Sequence, residues 1–66
     1  MNGAERIGGE IRAARRRYRL TQEQLAELAG TSTRTVRDIE HGTGATSVGT
    51  VAEVADVLGL TLGVTE

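Results

Sequence analysis

The segment 20–42 restricts the possible folds of this chain more than any other, because it carries start and stop signals for two short helices. Thr21 and Gln24 have the spacing of a capping box, in which each side chain accepts a hydrogen bond from the other residue's backbone at a helix start. Gly30 follows an apolar run at a point where the chain needs a left-handed residue to turn. The segment therefore predicts two helices joined by a tight turn.

Each of the two predicted helices has one apolar side. The first, over about 22–29, is expected to face the core through four residues: Leu25, Ala26, Leu28 and Ala29. The second, over about 33–41, buries Val36 and Ile39 and ends at Gly42. Its outward residues are all polar: Thr33, Arg34, Arg37, Asp38 and His41. A polar outer face of this kind is typical of a helix that enters a nucleic-acid groove.

Four positions counted from Gln22 carry a family resemblance, namely a small residue, a glycine and two branched aliphatics: Ala26, Gly30, Val36 and Ile39. With this pattern the chain resembles the Xre/Cro-type helix-turn-helix DNA-binding family over roughly residues 7–58. The resemblance implies an all-α fold, a four-helix domain of the lambda-repressor type whose third helix enters the major groove of double-stranded DNA. It also implies a homodimer on a palindromic operator.

The resemblance assigns roles to individual residues. By family position the base-contacting candidates are Thr33, Arg34, Arg37 and Asp38, of which the arginines suit guanine and the aspartate suits cytosine. Gln22 corresponds to a residue that anchors a DNA phosphate, and weaker phosphate candidates are Arg19, Ser32, Thr35, His41 and Thr43. His41 has a plainer explanation as a polar residue at a helix end. Arg15 and Glu40 match a family ion pair that ties the first helix to the third.

Two further helices are predicted on either side of this motif. The first spans about 5–17, and its apolar stripe has amphipathic spacing: Ile7, Ile11, Ala14 and Tyr18. The fourth spans about 48–58 and is expected to pack through Val48, Val51, Ala55 and Leu58. Tyr18, the sole aromatic residue, is expected to cover the core. Gly8 and Gly9 lie inside the first helix, where each costs about 1 kcal/mol relative to alanine without a visible reason.

The C-terminal segment 60–64 alternates apolar and polar residues, a period of two that predicts a β-strand. Its apolar members are Leu60, Leu62 and Val64. A single strand cannot satisfy its own backbone, so it is expected to pair antiparallel with its twofold mate across a dimer interface. A four-helix domain with such a strand resembles the HipB-type antitoxins. The alternative is a frayed C-terminus.

Composition limits the other possibilities. The 66 residues, 1–66, have room for one domain, and with no cysteine and one histidine they offer neither disulfides nor the ligands of a metal site. No nucleophile, base and orienting group are spaced for catalysis, so neither an enzyme nor a cofactor is expected. A signal peptide and a membrane span are also lacking, which makes the cytoplasm the expected location.

Charge is distributed unevenly along the chain. Residues 1–42 hold all eight basic and six acidic residues, a net charge of +2, whereas 43–66 hold three acids and no base, a net charge of −3. The total is −1, yet this asymmetry favours a basic DNA-binding face and an acidic back. A solvated helix face is the alternative explanation for the arginines of 15–19.

Three functions are compatible with these features. The leading one is a sequence-specific repressor that is also the antitoxin of a HipA/HipB-like toxin–antitoxin system, autoregulates its operon and binds a kinase-like toxin. The second is a stand-alone Xre-family regulator of phage or chromosomal origin. The third is a protein-interaction module without DNA binding, against which the presence of Gln22, Thr33, Arg34 and Arg37 argues.

Overall fold

The computed structural model describes residues 2–61, which contain four α-helices. Their bounds are α1 Gly3–Arg17, α2 Gln22–Ala29, α3 Thr33–His41 and α4 Val48–Val57. The predicted bounds of α2 and α3 agree with these, whereas α1 begins earlier than expected. The reason is Asn2, whose side-chain oxygen accepts a hydrogen bond of 2.8 Å from the backbone N–H of Glu5 and so caps the helix.

The core lies where the four helices meet. One side chain from each helix is fully buried: Ile11, Leu25, Val36 and Val54. Burying an aliphatic side chain of this size contributes about 1.5–3 kcal/mol. Helix α3 packs against α1 and α2, and α4 packs against α2. No helix within residues 2–61 has the length and apolarity needed to cross a membrane.

Three residues predicted to face the core are exposed instead. Leu28 is 61% exposed, because it lies about 200° around α2 from the buried Ala26 and nothing within residues 2–61 covers it. Tyr18 is 59% exposed, since it follows the last residue of α1 and no longer belongs to the helical stripe. Val48 is 79% exposed at the open N-terminal end of α4, which packs through its later residues. The prediction that each of these covers the core was wrong.

Within residues 2–61 the fold contains no β-strand. Leu60 completes the cap that follows α4. Its backbone N–H donates to the carbonyl of Ala55 at 2.9 Å, and the preceding Gly59 is in the left-handed region with φ of 72°. The Leu60 side chain packs against the core of its own chain. The structure therefore gives no support to the prediction that Leu60 begins an intersubunit strand. Leu62 and Val64, the other two residues of that prediction, lie outside the described residues.

The structure explains why glycine is present at position 8 inside α1, which the sequence alone did not. Gly8 is buried, and a Cβ atom there would collide with the carbonyl oxygen of Ile39 and lie 3.0 Å from that of Glu40. The backbone of α1 therefore touches the last turn of α3 at this point, which only glycine permits. A Cβ at Gly9 would meet nothing within 4 Å, so Gly9 has no comparable reason.

Candidate nucleic-acid interface

The turn between α2 and α3 is built around Gly30. This residue has φ of 69° and ψ of 32°, the left-handed conformation expected from the sequence. The backbone N–H of Thr31 then donates to the carbonyl of Ala26 at 2.9 Å, which satisfies the end of α2. At the start of α3, the hydroxyl of Ser32 accepts a 3.1 Å hydrogen bond from the N–H of Thr35. The end of α2 and the start of α3 are therefore both capped within a three-residue turn.

The outer face of α3 is polar and accessible. Arg34, Arg37 and His41 are exposed, and Thr33 and Asp38 are half-buried at its margins. Their helical spacing places Arg34, Arg37, Asp38 and His41 away from Val36 and Ile39, which face the core, while Thr33 lies at the edge of this face, one turn before Val36. None of these five side chains forms an ion pair among the described residues. The four predicted base-contacting residues thus share one surface with His41.

A buried ion pair fixes the position of α3 relative to α1. The Arg15 Nε donates to one Glu40 oxygen at 2.7 Å, and a terminal nitrogen donates to the other oxygen at 3.0 Å. The side chain of Glu40 is 2% exposed and that of Arg15 is 13% exposed. This two-bond geometry holds the planar guanidinium and the carboxylate in one orientation. The pair predicted to join the first and third helices is present.

Two further contacts extend the pair to the start of α2. The remaining terminal nitrogen of Arg15 donates to the carbonyl of Leu20 at 2.7 Å. The side-chain amide of Gln22 donates to Glu40 at 3.4 Å. Every buried side-chain polar atom in the described part of the chain has a hydrogen-bond partner. The ends of α1 and α3 and the start of α2 are thereby joined in one hydrogen-bonded unit.

The predicted phosphate contacts fall into two groups. The first consists of residues that already hold local hydrogen bonds: Gln22, Ser32, Thr35 and Thr43. Ser32 and Thr35 share a 2.9 Å hydrogen bond between their hydroxyls, so capping α3 occupies both. Arg19 and His41 form the second group, since both are exposed and neither has an ion-pair partner within residues 2–61. Arg19 and His41 are therefore the freer phosphate candidates.

Arg19 has an unusual backbone. Its φ is 57°, and it is the one non-glycine residue with positive φ within residues 2–61. Its N–H donates to the carbonyl of Arg16 at 3.0 Å, and the next residue, Leu20, bonds back to Arg15 at 3.0 Å. This is the conformation that glycine usually supplies at a helix end. In this chain an arginine adopts that conformation.

Sequence reasoning missed the glycines that hold α1 against α3. In addition to Gly8, these include Gly42, which has φ of 70°. A Cβ atom at Gly42 would lie 2.6 Å from the Cα of Glu5. A glycine inside a predicted amphipathic helix is a recognisable signal of close backbone approach, because its helix propensity is so poor. That signal was present at Gly8 but did not identify the partner helix.

Comparison with known proteins relates the chain to a family. A family model described as helix-turn-helix matches residues 11–64, which include both helices around the Gly30 turn. A protein of Sinorhizobium fredii named "Uncharacterized HTH-type transcriptional regulator y4mF" is similar, with 33% identity over 58 residues. That alignment covers 88% of this chain and 76% of the relative.

Proposed function

The chain belongs to the helix-turn-helix family, and we propose that it is a sequence-specific DNA-binding transcription regulator that inserts α3 into the major groove. The observation that carries the proposal is the combination of a polar, accessible face on α3 with a buried network behind it. The ion pair of Arg15 and Glu40 and the close contact at Gly8 fix the helix from one side. Such a helix presents its outer residues at a defined angle.

Individual residues of α3 suit different base edges. An arginine donates two parallel hydrogen bonds to O6 and N7 of guanine, so Arg34 and Arg37 are the main candidates for guanine contacts. Asp38 accepts from N4 of cytosine, and Thr33 near the helix start contacts either a base or the adjacent backbone. The free guanidinium groups of Arg34 and Arg37 favour this assignment, since no ion pair within residues 2–61 competes for them.

Phosphate contacts position the domain on the duplex. Arg19 and His41 offer accessible cationic or donor groups. Gln22, Ser32 and Thr35 lie close to the starts of α2 and α3, and Thr43 follows the end of α3. Backbone N–H groups at a helix start attract a phosphate because they carry the positive end of the helix dipole.

A twofold dimer on a palindromic operator is part of the proposal. One recognition helix covers only a few base pairs, and dimers of this class place two such helices about 34–36 Å apart on one face of the duplex. Leu60 is not available for an intersubunit strand, because it closes α4 and packs on its own core. Leu62 and Val64 stay sequence-based candidates for the contact between subunits.

Two regulatory contexts are compatible with a DNA-binding regulator of this kind. The antitoxin of a HipA/HipB-like system, with a kinase-like toxin as its partner, was suggested by the alternation over 60–64. Since Leu60 belongs to the helix end, that alternation loses its first member, and the stand-alone regulator becomes the better supported alternative. Affinity purification of the tagged chain from its native cells separates the two, because an antitoxin brings down a kinase-like protein in stoichiometric amount.

The DNA-binding proposal is tested by selecting duplexes from a random pool with the full 66-residue chain. We expect one enriched motif with twofold symmetry. In a titration of that duplex, Arg34→Ala should weaken specific binding by about 1–3 kcal/mol and relax preference at one base position in each half-site. Equal losses on selected and random duplexes would make Arg34 a phosphate contact. Absence of any enriched motif would contradict sequence-specific binding.

A further inference from the structure

One flank of α1 is defined by its contacts with the last turn of α3. Gly8 lies directly against the carbonyls of Ile39 and Glu40, and Arg15 holds the Glu40 carboxylate. Gly8 and Arg15 are separated by two helical turns, so they lie on the same side of α1. This flank therefore faces the C-terminal end of the recognition helix.

Arg12 lies on that same flank. It follows Gly8 by four residues and precedes Arg15 by three, and residues at these spacings are neighbours on a helix surface. Its side chain is exposed, and no ion pair among the described residues engages it. Sequence reasoning gave Arg12 no role. Its place beside the recognition helix became visible only from the contacts of Gly8 and Arg15.

Arg19 continues the row of arginines beyond the end of α1. It comes four residues after Arg15, and its exposed side chain also lacks an ion-pair partner within residues 2–61. Its backbone is held in the left-handed region, with φ of 57°, although glycine would adopt this conformation without a steric penalty. The contact between Arg15 and the Leu20 carbonyl fixes the turn that carries it.

We propose that Arg12, Arg15 and Arg19 form a basic ridge, along α1 and into the turn that follows it, that binds the DNA phosphates bordering the groove entered by α3. This inference rests on the proposed function and adds α1, through Arg12, to the surface that contacts the DNA backbone. The guanidinium of Arg15 is bonded to Glu40 and the Leu20 carbonyl, so Arg15 holds the ridge in place. Arg12 and Arg19 supply the phosphate contacts. A guanidinium presents paired donors that match two phosphate oxygens.

Helix-end electrostatics do not account for these two residues. Basic residues in the last turn of a helix interact favourably with its dipole, and in α1 these are Arg15, Arg16 and Arg17. The dipole effect falls off within that turn. Arg12 precedes the last turn and Arg19 lies outside the helix. Helical spacing places Arg12 on the flank that faces the end of α3, and Arg19 follows in the turn that Arg15 holds through the Leu20 carbonyl.

The opposite flank of α1 supplies matched controls. Arg17 comes nine positions after Gly8, and Arg6 comes nine positions before Arg15. At 3.6 residues per turn, nine positions are about 180° around the helix, so Arg6 and Arg17 face away from the ridge. Arg6 and Arg17 are exposed and form no ion pair within residues 2–61, and the same is true of Arg12 and Arg19. Removing any one of the four lowers the net charge by the same amount.

The experiment compares four single variants of the full chain, Arg12→Gln, Arg19→Asn, Arg6→Gln and Arg17→Gln, on the selected duplex and on a random duplex. Asparagine is chosen at Arg19 because it tolerates the left-handed region. Each ridge variant should bind both duplexes roughly three- to tenfold more weakly at ~0.1 M salt, with the slope of log K against log salt reduced by about 0.9. The controls should change less than about twofold, since screening at this salt acts over ~10 Å.

Thermal unfolding of each variant establishes that it is folded under the binding conditions. Equal weakening by all four variants, or unchanged binding by both ridge variants, overturns the ridge while leaving the proposed function standing. A wild-type chain that binds no duplex overturns the proposed function and the ridge with it. Loss confined to the selected duplex also overturns the ridge, because phosphate contacts weaken binding to every sequence.

Discussion

The α2–turn–α3 motif and the first turn of α4 differ in how tightly their side chains pack against the rest of the domain. In the motif, Leu25 and Val36 are fully buried, and the end of α3 is tied to α1 through the Glu40 carboxylate. At the first turn of α4, Val48 is 79% exposed, and a Cβ at Gly49 would meet nothing within 4 Å. The same chain therefore contains one region fixed by side chains and one that few side chains touch.

Backbone hydrogen bonding does not explain this difference. The start of α4 has its own cap, since the hydroxyl of Ser47 accepts a 3.3 Å hydrogen bond from the N–H of Thr50. Beside it, an open apolar pocket is bounded by Ile7, Ile39 and Val51. What differs is packing, and the tightly packed region is the one that carries the proposed DNA contacts. Orientation of α3 needs rigid support, whereas the start of α4 has no such requirement.

The largest expected effect comes from removing the anion of the buried pair. Glu40→Ala leaves the Arg15 guanidinium without its partner, so the free energy of unfolding should fall by about 3 kcal/mol. This is the low end for buried pairs, because Arg15 remains 13% exposed. Urea unfolding at constant salt measures it. Glu53→Ala on the exposed side of α4 is the matched control and should change stability by less than about 0.5 kcal/mol.

A double variant distinguishes loss of the charge pair from loss of packing. Replacing both partners by apolar residues, Arg15→Met with Glu40→Leu, removes the uncompensated charge and should recover about half of the loss or more. If Glu40→Ala and Glu53→Ala have similar effects on stability, the ion pair does not fix α3, and the contrast between the two regions would lose its main support.

The next effect tests the contact between α1 and α3. Gly8→Ala forces a methyl group into the carbonyls of Ile39 and Glu40, so it should destabilise by about 1–3 kcal/mol. Gly9→Ala, one residue further on, meets nothing within 4 Å and should stabilise by about 0.5–1 kcal/mol through better helix propensity. Thermal unfolding should therefore show shifts of opposite sign. Shifts of the same sign would mean that α1 is not seated on α3 at Gly8.

Local signals made most of the fold predictable. The capping box at Thr21 and the left-handed Gly30 depend only on neighbouring residues, and the structure has both. Val36 and Ile39 could likewise be placed in the core from their spacing. These features are encoded within one or two helical turns, which is the range over which sequence patterns are informative.

Features that depend on contacts between helices were not predictable. Leu28 belongs to an apolar pattern, yet no part of the described chain covers it, and it remains 61% exposed. Gly8 was recognised as costly in a helix, but its partner on α3 is more than thirty residues away in sequence. Leu60 was assigned to a strand from a short alternation, whereas its N–H completes the end of α4. In each case tertiary packing or a helix end outweighed a local period.

The smallest expected effect compares one glycine from each region. Gly30→Ala adds a Cβ where φ is 69° and where there is open space, so its cost is conformational, about 1–2 kcal/mol. Gly49→Ala adds the same atom in the first turn of α4, also in open space but with helical geometry, and should stabilise by about 0.5–1 kcal/mol. Because neither methyl group meets another atom, the difference in stability between the two variants reports backbone conformation alone.

Hydrogen exchange adds a second test of the same two variants. Gly30→Ala should raise exchange across α2 and α3, while Gly49→Ala should lower it only near the start of α4. If either variant changes hydrogen exchange equally in α2 and α3 and at the start of α4, the two regions open together. The structural contrast between them would then have no counterpart in stability.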